Sequence, residues 1–307
     1  MEKMLQELME IPQRAQDFWT NSPTIKLPFG VPYLGMGSSY FAPLAFKYLG
    51  MDIQPEIASE YFYYLKKKEK LPNAVILSQS GKSTEALWCA TLFEKYISIT
   101  NNLQSPLSTS PHSAESIELL AGEEHYSSSK PFVNTLLALF KGFGLDASES
   151  VDLLVENFPV YMKKGEKMAN LVFDQLNQNP IHGIYILGSG PNIGIAMNAA
   201  LILSESTKKD FHGMAMAQYD HGPKETAKGS IVIQILAKGE TYERAVKLND
   251  TIKKSGAMVM TVEEPKAPEN FSILHNIIPF NFMAYYLSKK LGIVDIFEVG
   301  GKVTEVK

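Results

Sequence analysis

Four side chains that carry hydroxyl or amide groups lie in one short turn between two apolar patterns. Residues 75–77 predict a strand buried on both faces, and apolar spacing from Thr84 onward predicts a helix through Ala86, Leu87, Ala90 and Phe93. The turn between them contains Ser78, Gln79, Ser80 and Ser83, with Gly81 allowing close backbone approach. Because free amides at a helix start favour an anion, this turn predicts a phosphate pocket.

The alternative is an ordinary turn in which Ser83 caps the helix and Glu85 adds charge to its first turn. A cap needs one hydroxyl, whereas this turn has four hydroxyl or amide groups and few bulky apolar ones. We therefore favour the functional interpretation.

Composition describes a soluble globular chain. It has 307 residues, of which 45% are hydrophobic and 20% charged, which predicts two domains rather than one. The net charge is -4 and the pI is near 5.9, with Lys and Arg spread along the chain. No nucleic-acid partner is expected.

The single cysteine, Cys89, excludes intramolecular disulfides and falls on the apolar face of the predicted helix, where packing is its expected role. There is no signal-peptide pattern at the N-terminus and no apolar run of about 18 residues. We expect a cytoplasmic protein with no membrane partner.

Strand and helix patterns alternate along the chain. An amphipathic helical arm interrupted near Pro12 comes first, followed by a strand, a glycine turn and a helix within residues 33–50. Further strands are predicted near Ile53 and over 97–100, and further helices over 58–67 and 131–144. This alternation predicts a parallel, doubly wound α/β sheet.

The second half repeats this order. Residues 186–190 correspond to 33–37, 231–241 to the serine turn, 258–261 to 97–100, and 279–292 to 131–144. The fold class is therefore α/β, with two tandem flavodoxin-like domains related by internal duplication. The predicted divisions are a helical arm (1–25), a first domain (26–160), a second domain (161–292) and a C-terminal tail (293–307).

The two copies differ at the turn. Where the first copy has Ser78, Gln79 and Ser80, the second has Leu236, Ala237 and Lys238. A purely structural turn would not need different chemistry in the two copies, so we expect one phosphate site per chain.

Three further residues could carry chemistry. Glu205 lies on a helix almost free of charge, so it is either a buried, capped carboxylate or a base. His221 follows Asp220 in a Gly-Pro turn, where a histidine is usually exposed but can be held in one tautomer for acid–base work. Lys302 follows two glycines in a tail that would by default be frayed. The remaining histidines are scattered, so neither a metal nor another cofactor is expected.

The serine turn resembles the signature of the sugar isomerase (SIS) domain family, which binds phosphosugars. The tandem order is similar to that of archaeal glucosamine-6-phosphate deaminases and of the isomerase half of glucosamine-6-phosphate synthase. The resemblance also rests on residues 37–40, 56–60, 121–124, 128–130 and 187–190, and on Glu205, 221–223 and Lys302.

The resemblance implies roles for these residues. The phosphate would be held by Ser39, Ser78, Gln79, Ser80 and Ser83, and the sugar hydroxyls would contact Ser128 and the backbone of Tyr126. Ser38 is a further expected substrate-binding residue. Glu205 would move the proton between C1 and C2, and Lys302 would meet the sugar carbonyl. His221 would help to open the ring from the neighbouring subunit of a homodimer with shared active sites.

The implied reaction converts glucosamine 6-phosphate and water to fructose 6-phosphate and ammonia, since no glutaminase half is seen. The chain departs from the family pattern at Ile202, where the synthase has a lysine. Lys82 and Ser83 replace the more usual acid and threonine.

Two rival functions remain open. A dinucleotide enzyme would need G-x-G-x-x-G, but position 40 is tyrosine and position 193 is isoleucine. A sugar-phosphate-binding protein without catalysis would need the turn but not Glu205, His221 and Lys302 together. An isomerase or deglycase for another amino- or ketose-phosphate is the nearest enzymatic alternative.

Overall fold

The computed structural model describes residues 2–301 of the chain. Two compact units are present, and we call residues 9–151 with 298–301 the first unit and residues 2–8 with 152–297 the second unit. Lys302 lies outside the described residues.

The predicted helical arm, with its interruption near Pro12, is confirmed. It forms α1 (Glu2–Met9) and α2 (Ile11–Asn21), and Pro12 stands in the first turn of α2. A proline is tolerated there because its missing N–H would have no partner within the helix.

The first unit contains one five-stranded sheet of parallel strands in the order β2-β1-β3-β4-β5. Its strands are β1 (Pro32–Gly35), β2 (Gln54–Ile57), β3 (Leu71–Leu77), β4 (Phe93–Thr100) and β5 (Ser113–Glu118). Its helices after α2 are α3 (Ser38–Tyr48), α4 (Ala58–Glu60), α5 (Thr84–Ala90), α6 (Pro106–Thr109) and α7 (Lys130–Gly142).

The helix α8 (Ser148–Gln178) follows, and the second unit then contains a four-stranded parallel sheet in the order β7-β6-β8-β9. Its strands are β6 (Ile184–Gly188), β7 (Phe211–Ala215), β8 (Ile231–Ile235) and β9 (Met258–Val262). Its helices are α9 (Asn192–Thr207), α10 (Met216–Asp220), α11 (Tyr242–Lys254), α12 (Ser272–Asn276) and α13 (Ile278–Lys290). Apart from β5, the two sheets share one strand order, which is what an internal duplication predicts.

Two predicted helix ends differ from the structure. The helix predicted over 58–67 is α4 followed by a π-helical turn (Tyr61–Leu65) that ends before the lysines. Phe93, predicted to continue the helix of the serine turn, instead begins β4, because the Leu92 N–H closes α5 on the Cys89 carbonyl and Leu71 pairs with Phe93. The sequence patterns did not predict α8 or β7.

Cys89 has the packing role expected of it. It is fully buried in the core of the first unit, and its thiol donates to the Ala58 carbonyl at 3.2 Å. Burial raises the pKa of the thiol to about 12, so this cysteine is unreactive near neutral pH.

No helix among the described residues combines the length and the apolar character that crossing a bilayer requires.

A buried polar cluster lies in the second unit around His275, which is fully buried. The Tyr161 hydroxyl lies 2.7 Å from Glu264 Oε2 and 3.0 Å from His275 Nδ1. Asn157 Nδ2 donates to the same Glu264 oxygen at 2.9 Å. Burial lowers the pKa of His275 to about 4, although the Glu264 charge acts in the opposite direction.

This cluster should make folding stability depend on pH. The unfolded chain takes up the His275 proton near its ordinary pKa of 6.5, whereas the folded chain resists protonation down to about 4. Stability is therefore complete above pH 6.5 and falls as the pH drops toward 4, by up to about 3 kcal/mol. Denaturant unfolding of wild type and His275→Gln between pH 7 and pH 4.5 measures the difference. The exposed His221→Gln serves as control, and equal pH slopes for wild type and His275→Gln would contradict the assignment.

Candidate functional site

The serine turn continues directly from β3. The Ser78 N–H donates to the Ile99 carbonyl at 3.1 Å, so the turn begins where the β3–β4 ladder ends. The Ser78 hydroxyl accepts from the Gly81 N–H at 3.1 Å and donates to the Ser83 hydroxyl at 3.2 Å. The Ser80 hydroxyl accepts from the Lys82 N–H at 3.2 Å. Three hydroxyls are thus collected within one turn.

The capping alternative for Ser83 is wrong. Ser83 stands at the N-cap position of α5, but its side chain makes no capping hydrogen bond. Its hydroxyl instead meets the Ser78 hydroxyl, so it is part of the polar turn.

Gly81 determines how tightly the turn closes. Its φ is +63°, and a Cβ at this position would lie 2.0 Å from the Ser105 hydroxyl oxygen. The Leu107 N–H donates to the Gly81 carbonyl at 3.2 Å. Only glycine fits this backbone conformation and this approach together.

The segment after β4 supports the turn from the other side. The Gln79 carbonyl accepts from the Asn101 N–H at 2.9 Å and from the Thr100 hydroxyl at 3.2 Å. Since β3 and β4 are adjacent parallel strands, their carboxyl ends bring residues 78–83 and 100–105 to one edge of the sheet.

A loop over residues 119–129 forms the next wall, which we call the substrate loop. Asn101 holds it at two points: its Nδ2 donates to the Gly122 carbonyl at 2.6 Å, and its Oδ1 accepts from the Ala121 N–H at 2.9 Å. The buried Glu124 carboxylate accepts from the Ser129 N–H at 2.8 Å and from its hydroxyl at 2.7 Å. Tyr126 and Ser128 lie half-buried in this loop.

The turn and the substrate loop line one open cleft of about 610 Å³. Its lining residues are Gln79, Ser80, Lys82, Asn101, Asn102, Glu118, Leu120, Gly122, Glu123, Glu124 and His125. Hydroxyl, amide and lysine groups lie on the turn side, and carboxylates lie on the loop side. Such a cleft can take a ligand with an anionic end and several hydroxyls. The sequence signal that could have found Asn101 and Asn102 is their position directly after a buried parallel strand.

Ser38 and Ser39 begin α3, immediately after β1. Since β1 is the sheet neighbour of β3, both serines are at the same sheet edge as the serine turn. They are half-buried and do not line the cleft itself.

The second unit carries the predicted residues Glu205 and His221. Glu205 lies on α9 and is half-buried rather than enclosed, and Ile202, three residues earlier, is fully buried. His221 is exposed and ends α10.

Asp220 does not serve His221 as predicted. Its carboxylate oxygens accept from Lys224 Nζ at 3.0 Å and from Arg244 Nη2 at 3.1 Å. Both cations lower the pKa of the Asp220 carboxyl, chiefly through these hydrogen bonds. Among the described residues, this carboxylate pairs with these two cations and makes no hydrogen bond to the His221 imidazole.

The corresponding turn of the second unit begins with the same backbone hydrogen bond but carries different side chains. The Leu236 N–H donates to the Val262 carbonyl at 2.8 Å, as Ser78 does to Ile99. The Glu269 carboxylate packs against Gly239, where a Cβ would lie 1.9 Å from Oε2. Burial and the charge of Glu240 raise the pKa of Glu269. The Glu269 side chain thus fills the space next to this turn.

Among residues 2–301, no group of three or more His, Cys, Asp or Glu side chains is arranged to hold a metal ion.

Known proteins are similar to this chain in sequence and in structure. No family model matches the chain. A glutamine–fructose-6-phosphate aminotransferase (isomerizing) from Sulfolobus acidocaldarius is 26% identical over 286 residues, covering 85% of this chain and 47% of the relative. The chain therefore spans about half the length of this curated relative.

Solved structures establish the fold. The glucosamine-6-phosphate deaminase of Thermotoga maritima superposes with a TM-score of 0.82 at 22% identity, covering 98% of this chain and 99% of that one. At this identity the match shows a shared fold, and it agrees with the resemblance of the serine turn to the sugar isomerase (SIS) family. The C-terminal domain of the Francisella tularensis glucosamine-fructose-6-phosphate aminotransferase also superposes, with a TM-score of 0.76 at 18% identity, covering 94% of this chain and 96% of that one.

The serine turn should require glycine at position 81 for its close packing as well as for its positive φ. Gly81→Ala adds a collision with Ser105 to the cost of a positive φ, and we expect a loss of at least about 3 kcal/mol in folding stability. The matched control is Gly50→Ala in the same unit, where φ is +90° and a Cβ would meet nothing within 4 Å, so only about 1 kcal/mol should be lost. Denaturant unfolding measures both, and equal losses would contradict the close packing of the turn.

Proposed function

We propose that this chain deaminates and isomerises glucosamine 6-phosphate, giving fructose 6-phosphate and ammonia. The observation that carries the proposal is the collection of the Ser78, Ser80 and Ser83 hydroxyls in one glycine turn beside an open cleft. Hydroxyl and backbone N–H donors at such a turn suit phosphate oxygens. Similarity to the Thermotoga glucosamine-6-phosphate deaminase and the Sulfolobus glutamine–fructose-6-phosphate aminotransferase supports this substrate class.

The phosphate is proposed to bind at Ser39, Ser78, Gln79, Ser80 and Ser83, with Ser38 beside them. The sugar hydroxyls then meet Ser128 and the Tyr126 backbone in the substrate loop. This assignment is supported by the shared cleft, since the turn and the loop belong to one unit and lie on either side of the same space.

Glu205 is proposed as the base. In the open-chain sugar it takes the proton from C2, and a proton returns to C1, so that the aldehyde becomes a hydroxymethyl group and the amine becomes an imine at C2. Water adds to that imine and ammonia leaves, which gives the ketone of fructose 6-phosphate. A carboxylate that accepts and returns one proton needs no redox partner.

The remaining assignments stay proposals. His221 would assist ring opening from the neighbouring subunit of a homodimer, which its exposure permits. Lys302, proposed to meet the sugar carbonyl, lies outside the described residues. The shared strand order supports the proposed tandem duplication.

Glu205→Gln should lose turnover while keeping substrate affinity. General acid–base groups contribute about 10²- to 10⁴-fold, so the rate of ammonia and fructose 6-phosphate release should fall by at least about 100-fold. The exposed Glu225→Gln in the same unit is the control and should keep full turnover. Coupled assays of both products, with binding measured by calorimetry, separate the two effects.

Two results would overturn parts of the proposal. Full turnover in Glu205→Gln would remove Glu205 as the base. Binding of glucosamine 6-phosphate by wild type without release of ammonia would exclude the deaminase reaction and assign the site to another phosphosugar or to binding alone.

A further inference from the structure

The substrate loop begins with an unusual backbone. Leu120 has φ of +51° and Gly122 has φ of +68°, and both residues line the cleft. A leucine in this region is sterically disfavoured, so the conformation persists only where the surrounding structure enforces it.

One support comes from Lys130, the first residue of α7. Its side chain is 1% exposed, and its Nζ donates to the Glu123 carbonyl at 2.8 Å and to Glu10 Oε2 at 2.8 Å. The buried ammonium therefore joins the loop backbone to a carboxylate at the start of α2. Glu123, whose carbonyl accepts this hydrogen bond, lines the cleft.

The second support comes from α2 itself. Arg14 Nε donates to the same Glu10 oxygen at 3.3 Å. Asn134 Nδ2 donates to the Arg14 carbonyl at 3.1 Å and to the Leu119 carbonyl at 2.7 Å. Two side chains of α7 thus hold the ends of the segment 119–123, and the same two side chains hydrogen-bond to Glu10 and to the Arg14 carbonyl.

Charge explains why Glu10 is the central residue of this arrangement. A buried ammonium is costly unless an opposite charge compensates it. Within the described part of the chain, Glu10 is the carboxylate within ion-pair distance of Lys130, since Glu124 accepts instead from Ser129. The hydrogen bond from Lys130 is the largest cause of the lowered pKa of the Glu10 carboxyl.

We propose that Glu10 is a positioning residue for the phosphosugar site, acting through Lys130 to hold the substrate loop in its binding conformation. The expected effect on sugar binding rests on the proposed function, whereas the expected effect on the loop conformation does not. On this proposal, the conformation of the substrate loop depends on Glu10 at the start of α2, whereas the conformation of the serine turn does not.

The test compares Glu10→Gln with a matched control on the same helix, Asp17→Asn, whose carboxylate accepts from the exposed Gln13 side chain at 2.8 Å. In the free protein, amide hydrogen exchange over residues 119–129 should become at least about tenfold faster in Glu10→Gln and stay unchanged in Asp17→Asn. Affinity for fructose 6-phosphate should fall about tenfold, whereas affinity for inorganic phosphate should change less than about twofold.

Lys130→Met and the double variant complete the experiment. If Glu10 acts through Lys130, the double variant should lose no more affinity for fructose 6-phosphate than Lys130→Met alone, because the pair acts as one unit. Additive losses would overturn the proposal, as would unchanged loop exchange in Glu10→Gln or faster exchange throughout the first unit. If wild type binds no fructose 6-phosphate, the proposed function fails, and the exchange comparison alone still decides whether Glu10 holds the loop.

Discussion

The contact of Gly81 with Ser105 sets the geometry on which the first unit's site depends. Because a glycine with a left-handed φ lies against the segment after β4, the chain can reverse within a few residues of β3 and present three hydroxyls at one point. The same approach brings Asn101 next to the turn, and Asn101 in turn fixes the loop that faces it. One close packing contact thus links both walls of the cleft.

The two units show how similar backbones can carry different chemistry. Both turns follow the third strand of a parallel sheet, and in both the N–H of the first residue after that strand donates to a carbonyl of the adjacent strand. In the first unit the turn is lined by hydroxyls, whereas in the second the Glu269 carboxyl group lies against Gly239 and occupies the space beside the turn. The sequence predicted one phosphate site per chain from Leu236 and Lys238. The Glu269 side chain beside the second turn adds a steric obstacle that the sequence comparison did not reveal.

The features that the sequence predicted well are local. Pro12 at the start of α2, the apolar run of β3 and the glycine turn are encoded by neighbouring residues, so periodicity and turn chemistry were sufficient. The features that it did not predict depend on distance in the chain. Glu10 and Lys130 are 120 positions apart, and neither has a local pattern that points to the other. The pairing of Asp220 with Arg244, which lies 24 positions later, likewise has no local sequence pattern that predicts it. The boundary between α5 and β4 was missed because Phe93 fits a helical period and a buried strand equally well.

The most direct test of the account is calorimetric titration of fructose 6-phosphate into wild type, Ser80→Ala and Lys238→Ala, which alter corresponding positions of the two turns. Hydrogen bonds to a charged group contribute roughly 1.5–3 kcal/mol, so Ser80→Ala should weaken binding about ten- to a hundredfold. Lys238→Ala should change affinity less than about twofold, and wild type should bind one molecule per chain. Unchanged affinity in Ser80→Ala, or an equal loss in Lys238→Ala, would contradict the assignment of the phosphate site to the first unit.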